Sequence, residues 1–223
     1  MLDLHGGAWN GKDRLAEEPM DRDLAASGVL VVAIDMTLAP EAPYPACVQD
    51  ANYGVRWLKW KAPSWSGGHV AELLSMRPRD VRYHAIALPE APTLDATVAY
   101  VATRSPISDP YARFLNTESK KRQDMIDNHK TFFKPWETIF ESNPQQILER
   151  KEAVALGPLL IMQGALDDNV LPSIQEKFAK TYKAAGGYCD YQLFEGYEHH
   201  GWPIRDRRRI AREKAFIARN LRT

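Results

Sequence analysis

The sequence predicts an α/β fold organised on a mainly parallel sheet, and two observations carry that prediction. Short β-rich runs alternate with longer helical stretches along the chain, which is the pattern of strand–helix–strand units. Residues 29–35 and 159–163 are near-continuous apolar runs, as strands buried on both faces of a parallel sheet require.

In chain order, strands are expected at residues 1–4, 29–35, 83–88, 159–163 and 188–194. A helix is expected over 13–26, with Leu15, Met20, Leu24 and Ala25 as its apolar positions. The next, over 45–61, places Cys47, Ala51, Val55 and Leu58 on one stripe. A short apolar helix follows at 69–76. Another runs from 173, behind Pro172, to 185, where Gly186-Gly187 stops it. The last, over 207–221, carries Ile210, Ile217 and Leu221 on one face. Residues 93–151 interrupt the alternation: the stretch is long and polar, dotted with aromatics such as Tyr111, Phe132 and Trp136, and reads as helical without a clear strand. Such a segment, placed after a sheet strand, reads either as a lid or as a helical layer covering the sheet.

The chain has 223 residues, enough for one domain over 1–223 with 93–151 as its helical insert. Twenty-nine basic residues balance twenty-nine acidic ones, so the electrostatic footprint of a dedicated nucleic-acid binder is missing. The longest apolar runs, at 29–34 and 158–162, fall far short of the roughly 18–20 residues of a membrane span. Cys47 and Cys189 are too few for a disulfide scaffold and lack metal-type spacing. With no secretory signal readable at Met1, a cytoplasmic protein is expected. The chain opens in mid-strand, at Met1-Leu2-Asp3-Leu4.

Four motifs stand out, three of them directly after predicted strands, where open α/β sheets carry functional groups. His5-Gly6-Gly7-Ala8-Trp9 comes directly after the first strand; adjacent glycines permit a turn whose N–H groups are open to a developing oxyanion. Ser64-Trp65-Ser66-Gly67-Gly68 precedes an apolar helix, with small residues two before and two after Ser66, as a strand-to-helix nucleophile turn demands. The ordinary alternative for Ser66 is a helix N-cap. Gly164 through Pro172 follows the 159–163 strand and offers Asp167 or Asp168, either of which could simply cap the next helix. Gly196-Tyr197-Glu198-His199 follows the last strand. Serine, acid and histidine therefore occur in the order Ser66, Asp167, His199, which is that of neither chymotrypsin nor subtilisin.

In these motifs the sequence resembles α/β-hydrolase-fold esterases of the hormone-sensitive-lipase and acetyl-esterase type. His5-Gly6-Gly7 matches the family's HGG motif, and Ala8-Trp9 extends it to the HGGxW form also found in kynurenine formamidases. Residues 33–45, with Ala39-Pro40-Glu41 and Pro45, resemble the YxLAPExxxP segment, Met36 replacing its Tyr. Ser66-Gly67-Gly68-His69 resembles the SxGGH elbow with one residue fewer, and Gly164 to Pro172 the GxxDxxVP acid site with one residue more. Counting from Gly164 selects Asp167, counting back from Pro172 selects Asp168, and the glycine count is preferred; GxxH selects His199 over His200. The resemblance departs in two places. The family carries strands before its HGG motif, and a buried strand before its nucleophile where this chain has only Ala62-Pro63-Ser64-Trp65, and Pro63 suits no central strand. The expected fold is thus an α/β-hydrolase lacking N-terminal strands and the strand before Ser66.

The resemblance implies a cofactor-free serine hydrolase acting on a small-molecule ester, with no nucleic-acid or membrane partner and an oligomeric state left open. Ser66 would be the nucleophile, His199 the base, Asp167 its orienting acid, and the N–H groups of Gly6, Gly7 and Gly67 the oxyanion donors, with Trp9 at the substrate. Alternatives are an arylformamidase, suggested by the HGGxW form, and a non-catalytic relative with a collapsed elbow. A metal hydrolase is disfavoured, because no two histidines stand at ligand spacing on one helix.

Overall fold

A computed structural model describes residues 1–61, 69–200, 202 and 206–220. In chain order the elements are β1 (Leu2–Leu4), α1 (Glu18–Ala25), β2 (Val32–Ile34), α2 (Ala46–Lys61), α3 (His69–Met76), β3 (Val101–Arg104) and α4 (Pro110–Ser119). They continue with α5 (Gln123–Phe132), α6 (Thr138–Glu141), α7 (Pro144–Glu149), β4 (Leu159–Gly164), α8 (Pro172–Ala184), β5 (Cys189–Phe194) and α9 (Arg207–Asn220).

Among the described residues every strand pairing is parallel. β1 pairs with β2, Leu2 opposite Val32 and Leu4 opposite Ile34. β3, β4 and β5 form a second group in that order, Val101 opposite Leu159 and Gly164 opposite Phe194. The expected gap before Ser66 falls on residues 62–68, outside the described residues. β4 is buried along its whole length, and each of its large apolar side chains contributes roughly 1.5–3 kcal/mol by leaving water. The second apolar run behaves differently: β2 is only half-buried and Leu30 beside it is 61% exposed, so burial on both faces belongs to β4 and not to β2.

Helix α2 buries the predicted stripe of Cys47, Ala51, Val55 and Leu58. Its Gly54 lets it lie close to the sheet, since a β-carbon there would meet Ile34 Cδ1 at 3.2 Å. Helix α1 begins at Glu18 rather than 13, because Pro19 lacks an N–H and fits only the first turn. α4 opens on Asp109, whose side chain accepts from the Ala112 N–H, with Pro110 next.

Two expectations are corrected. Residues 83–88 form no strand: the Asp80 carbonyl accepts from the N–H groups of Tyr83 and His84, turning the chain, and the Tyr83 hydroxyl is buried against that of Tyr44 at 2.7 Å. Val81 just before it is 83% exposed, while Tyr83 and Leu88 are buried by the surrounding loops and helices rather than by strand pairing. The strand neighbouring β4 is instead β3, inside the 93–151 segment that reads as strandless; its Val101 and Thr103 are buried while Ala102 and Arg104 are half-buried, the alternation of a strand. The segment beyond β3 carries the four helices α4 to α7, while residues 94–100 before β3 form no helix.

The basic stretch after His199 also divides. Asp206 caps α9 by accepting from the N–H groups of Arg208 and Arg209. Arg207 and Arg208 are exposed, whereas Arg209 is buried near Glu213.

Candidate active site

The acid loop leaves the carboxyl end of β4 and the histidine loop leaves β5, and backbone bonds join them. The Ala165 N–H donates to the Phe194 carbonyl at 2.9 Å and the Leu166 N–H to the Tyr197 carbonyl at 2.8 Å. Only glycine fits at 164, because a β-carbon there would run into the Tyr197 and Glu198 carbonyl oxygens. On the histidine side, Gly196 adopts φ +79, and the Trp202 indole N–H donates to the Glu198 carbonyl at 2.6 Å.

This arrangement brings His199 Nδ1 to 2.9 Å from Asp167 Oδ2, with the Asp167 side chain fully buried and that of His199 20% exposed. Asp167 is held from every side. Its Oδ1 accepts from the N–H groups of Asn169 at 3.0 Å and Val170 at 2.8 Å, and Oδ2 also accepts from the Gln163 amide at 3.0 Å. Burial works against its charge, but the His199 hydrogen bond and charge, the Val170 N–H and Gln163 outweigh it and hold the carboxyl below the usual carboxylate range. Asp168 points elsewhere: its exposed carboxylate is paired with Arg122, which lowers its pKa, and its carbonyl accepts from Lys120. Of the two acids the motif left open, Asp167 is the one that meets the imidazole. His200 lies edge-to-face on His199 at 4.7 Å; burial, then the neighbouring His199 and Lys12, lower its pKa.

Across the cavity stands the turn after β1. His5 is buried and donates from Nδ1 to the Gly6 carbonyl at 2.8 Å. Gly7 adopts φ +110, and a β-carbon there would overlap the Gly11 carbonyl. Among the described residues, nothing accepts from the N–H groups of Gly6 and Gly7. Trp9 is 8% exposed and stacked on Phe132 with centroids 4.6 Å apart, edge-on to Phe133 at 5.2 Å. It reaches the cavity, but its ring is chiefly the joint between the turn and α5.

The cavity has a volume of about 470 Å³, and its wall includes Gly6, Gly7, Trp9, Ser105, His199 and His200. That size suits a small organic molecule. Ser66 and Gly67 lie outside the described residues. Among the described residues no cluster of metal-ligating side chains occurs and no helix is long and apolar enough to cross a membrane. Sequence reasoning did not single out Ser105, Arg113 or Asn169. Ser105 carries the signal of its place, a serine before Pro106 after a β-like run; its φ is +44.

The family model described as alpha/beta hydrolase fold matches residues 1–203, and the chain belongs to that family. Among curated proteins, carboxylesterase NlhH of Mycobacterium tuberculosis is 37% identical over 70 residues, covering 31% of this chain and 19% of that protein. Esterase LipI of the same organism is 30% identical over 95 residues, covering 36% of this chain and 30% of that protein. The matched stretches thus span less than a third of either relative. Among solved structures, esterase B from Lactobacillus rhamnosis superposes with a TM-score of 0.76 at 18% identity, over 99% of this chain and 76% of that one. A truncated carbohydrate esterase from gut microbiota gives 0.77 at 16% identity, over 99% and 85%. At these identities the likeness is one of fold.

Proposed function

We propose that the protein is a serine hydrolase that cleaves small carboxylic esters through Ser66, His199 and Asp167. The observation that carries this reading is the 2.9 Å contact between His199 Nδ1 and the buried, ionised Asp167, at the wall of a cavity that the Gly6-Gly7 turn also lines. An anionic acceptor at Nδ1 keeps the proton there and leaves the Nε2 lone pair free to act as a base. The names of the curated relatives, carboxylesterase and esterase, favour ester over amide chemistry.

In this mechanism Nε2 of His199 takes the proton of Ser66 Oγ as that oxygen bonds to the acyl carbon and the carbonyl electrons move onto oxygen. The N–H groups of Gly6, Gly7 and Gly67 stabilise this oxyanion. Collapse expels the alcohol, which receives the proton from His199 and leaves the acyl group on Ser66. Water, deprotonated by the same imidazole, then releases the acid and restores the serine. Trp9 and the 93–151 segment form the substrate wall.

Fluorophosphonate labelling with turnover of short p-nitrophenyl esters tests this reading. Labelling that is lost in Ser66→Ala supports it. No labelling of folded protein favours a non-catalytic relative, and labelling that survives the substitution places the nucleophile elsewhere. Turnover of N-formyl aromatic amides without ester turnover points to an arylformamidase.

A further inference from the structure

We infer that Arg113, on α4, is a positioning residue of the Asp167–His199 pair: it ties the acid loop to the 93–151 segment through Asn169 and sets a buried positive charge against that of Asp167. The inference depends on the reading of that pair as base and orienting acid.

Arg113 is 2% exposed. A guanidinium taken out of water costs several kcal/mol unless its donors and charge are answered. Here the donors meet neutral acceptors. Nε donates to Asn169 Oδ1 at 2.9 Å, and Nη1 donates to His129 Nε2 at 3.2 Å. The guanidinium carbon stands 5.7 Å from the centre of the Trp9 ring, within cation–π range. Among the described residues Arg113 forms no salt bridge.

His129 is built for its part. Its Nδ1–H donates to the Met125 carbonyl at 2.6 Å, leaving the Nε2 lone pair for Arg113. Burial, and then Arg113 itself, lower its pKa to about 4, so it is neutral and accepts at neutral pH. Burial lowers the Arg113 pKa to about 10, with the Asp167 charge pulling the other way; the guanidinium stays protonated. A fixed cation thus sits one residue from the catalytic acid, because the Asn169 N–H is itself bound to Asp167 Oδ1 at 3.0 Å.

The electrostatic consequence follows from Coulomb's law. Asp167 alone favours the protonated imidazole, and a nearby buried cation opposes that preference. Other charged and titratable groups around the pair are His200, Lys12 and Arg104 on the cavity side, and Arg122 with Lys120, which are engaged with Asp168. Arg113 is the cation whose hydrogen bonds reach the acid loop from within the fold.

Arg113→Met and Arg113→Lys test the inference, with the His199 ring titrated by NMR and kcat/KM for p-nitrophenyl acetate measured against pH. The methionine variant is expected to move the His199 titration to higher pH, because a cation near the pair has been removed. The acidic limb of kcat/KM should rise with it, and kcat should fall more than KM changes. Lysine, which keeps the charge without the fork, should restore the limb but not the full kcat. A folded methionine variant with an unmoved His199 titration overturns the inference, even if its kcat falls. Should that variant not fold, Asn169→Ala severs the tie and keeps the charge: kcat about tenfold lower with an unmoved limb is expected, and wild-type kcat overturns it. Because the titration needs no turnover, it is read even if the protein cleaves no ester, so failure of the esterase reading and failure of this inference are distinguishable.

Discussion

Gly164 and Tyr197 approach so closely that the Tyr197 carbonyl oxygen occupies the space a β-carbon on residue 164 would need. The acid loop and the histidine loop leave neighbouring parallel strands, and this contact draws them together until His199 and Asp167 share a hydrogen bond. Gly164→Ala is therefore expected to cost about 1–3 kcal/mol by overpacking and to disrupt the His199–Asp167 contact. Thermal unfolding together with ester turnover checks it, and a variant with both at wild-type level contradicts the role given to the close approach.

Asp167 and Asp168 are adjacent in sequence but differ in surroundings, one fully buried against His199 and the other exposed against Arg122. Asp167→Asn should lower kcat by about 10³–10⁴-fold, because the amide no longer fixes the imidazole tautomer. Asp168→Asn should leave kcat within about twofold, an exposed ion pair being worth at most about 1 kcal/mol. Equal losses in the two variants would place the orienting acid elsewhere.

Trp9 joins the Gly-Gly turn to α5 through its stack on Phe132. Trp9→Ala should cost about 3–5 kcal/mol in stability, read by urea denaturation. Trp9→Phe should keep most of that stability. Any rise in KM that it shows at preserved stability measures the share of the ring that touches substrate, and an unchanged KM assigns Trp9 to packing alone.

Glu72, on α3, is buried beside Ser108. Burial raises its pKa to about 8, against about 4.3 in an unfolded chain. The folded state thus holds the proton more tightly. The resulting stability is fully present below about pH 4.3 and is lost as pH rises through about 8. Glu72→Gln removes that titration, so its melting temperature should fall less than that of the wild type between pH 5 and pH 8. Parallel melting curves over that interval would show that Glu72 does not hold a proton in the fold.

The motif order and most elements were legible in the sequence because they are local. The apolar run Leu159-Leu160-Ile161-Met162 marks β4 by composition alone, and Pro172 and Gly186 bracket α8 closely. β3 was not legible: four residues between polar turns carry little pattern, and they become a strand because β4 offers an unpaired edge there. Residues 83–88 show the converse, a β-like composition whose chain turns at the Asp80 carbonyl instead of pairing.

By the resemblance of its motifs the sequence pointed to the α/β-hydrolase family, and by itself it determined the parallel α/β fold, the turn of small residues at Gly6-Gly7, and the pair of loops from which an acid and a histidine are drawn. Spacing within a strand or turn is enough for those. The tertiary structure decided which acid meets His199, that Gly164 must yield to a neighbouring carbonyl, and that a buried arginine on α4 bonds to Asn169 of the acid loop. Arg113 is 56 residues from Asn169 and 16 from His129. No periodicity links such positions, and only packing, which sets how far a buried charge lies from its partners, brings them within hydrogen-bond reach.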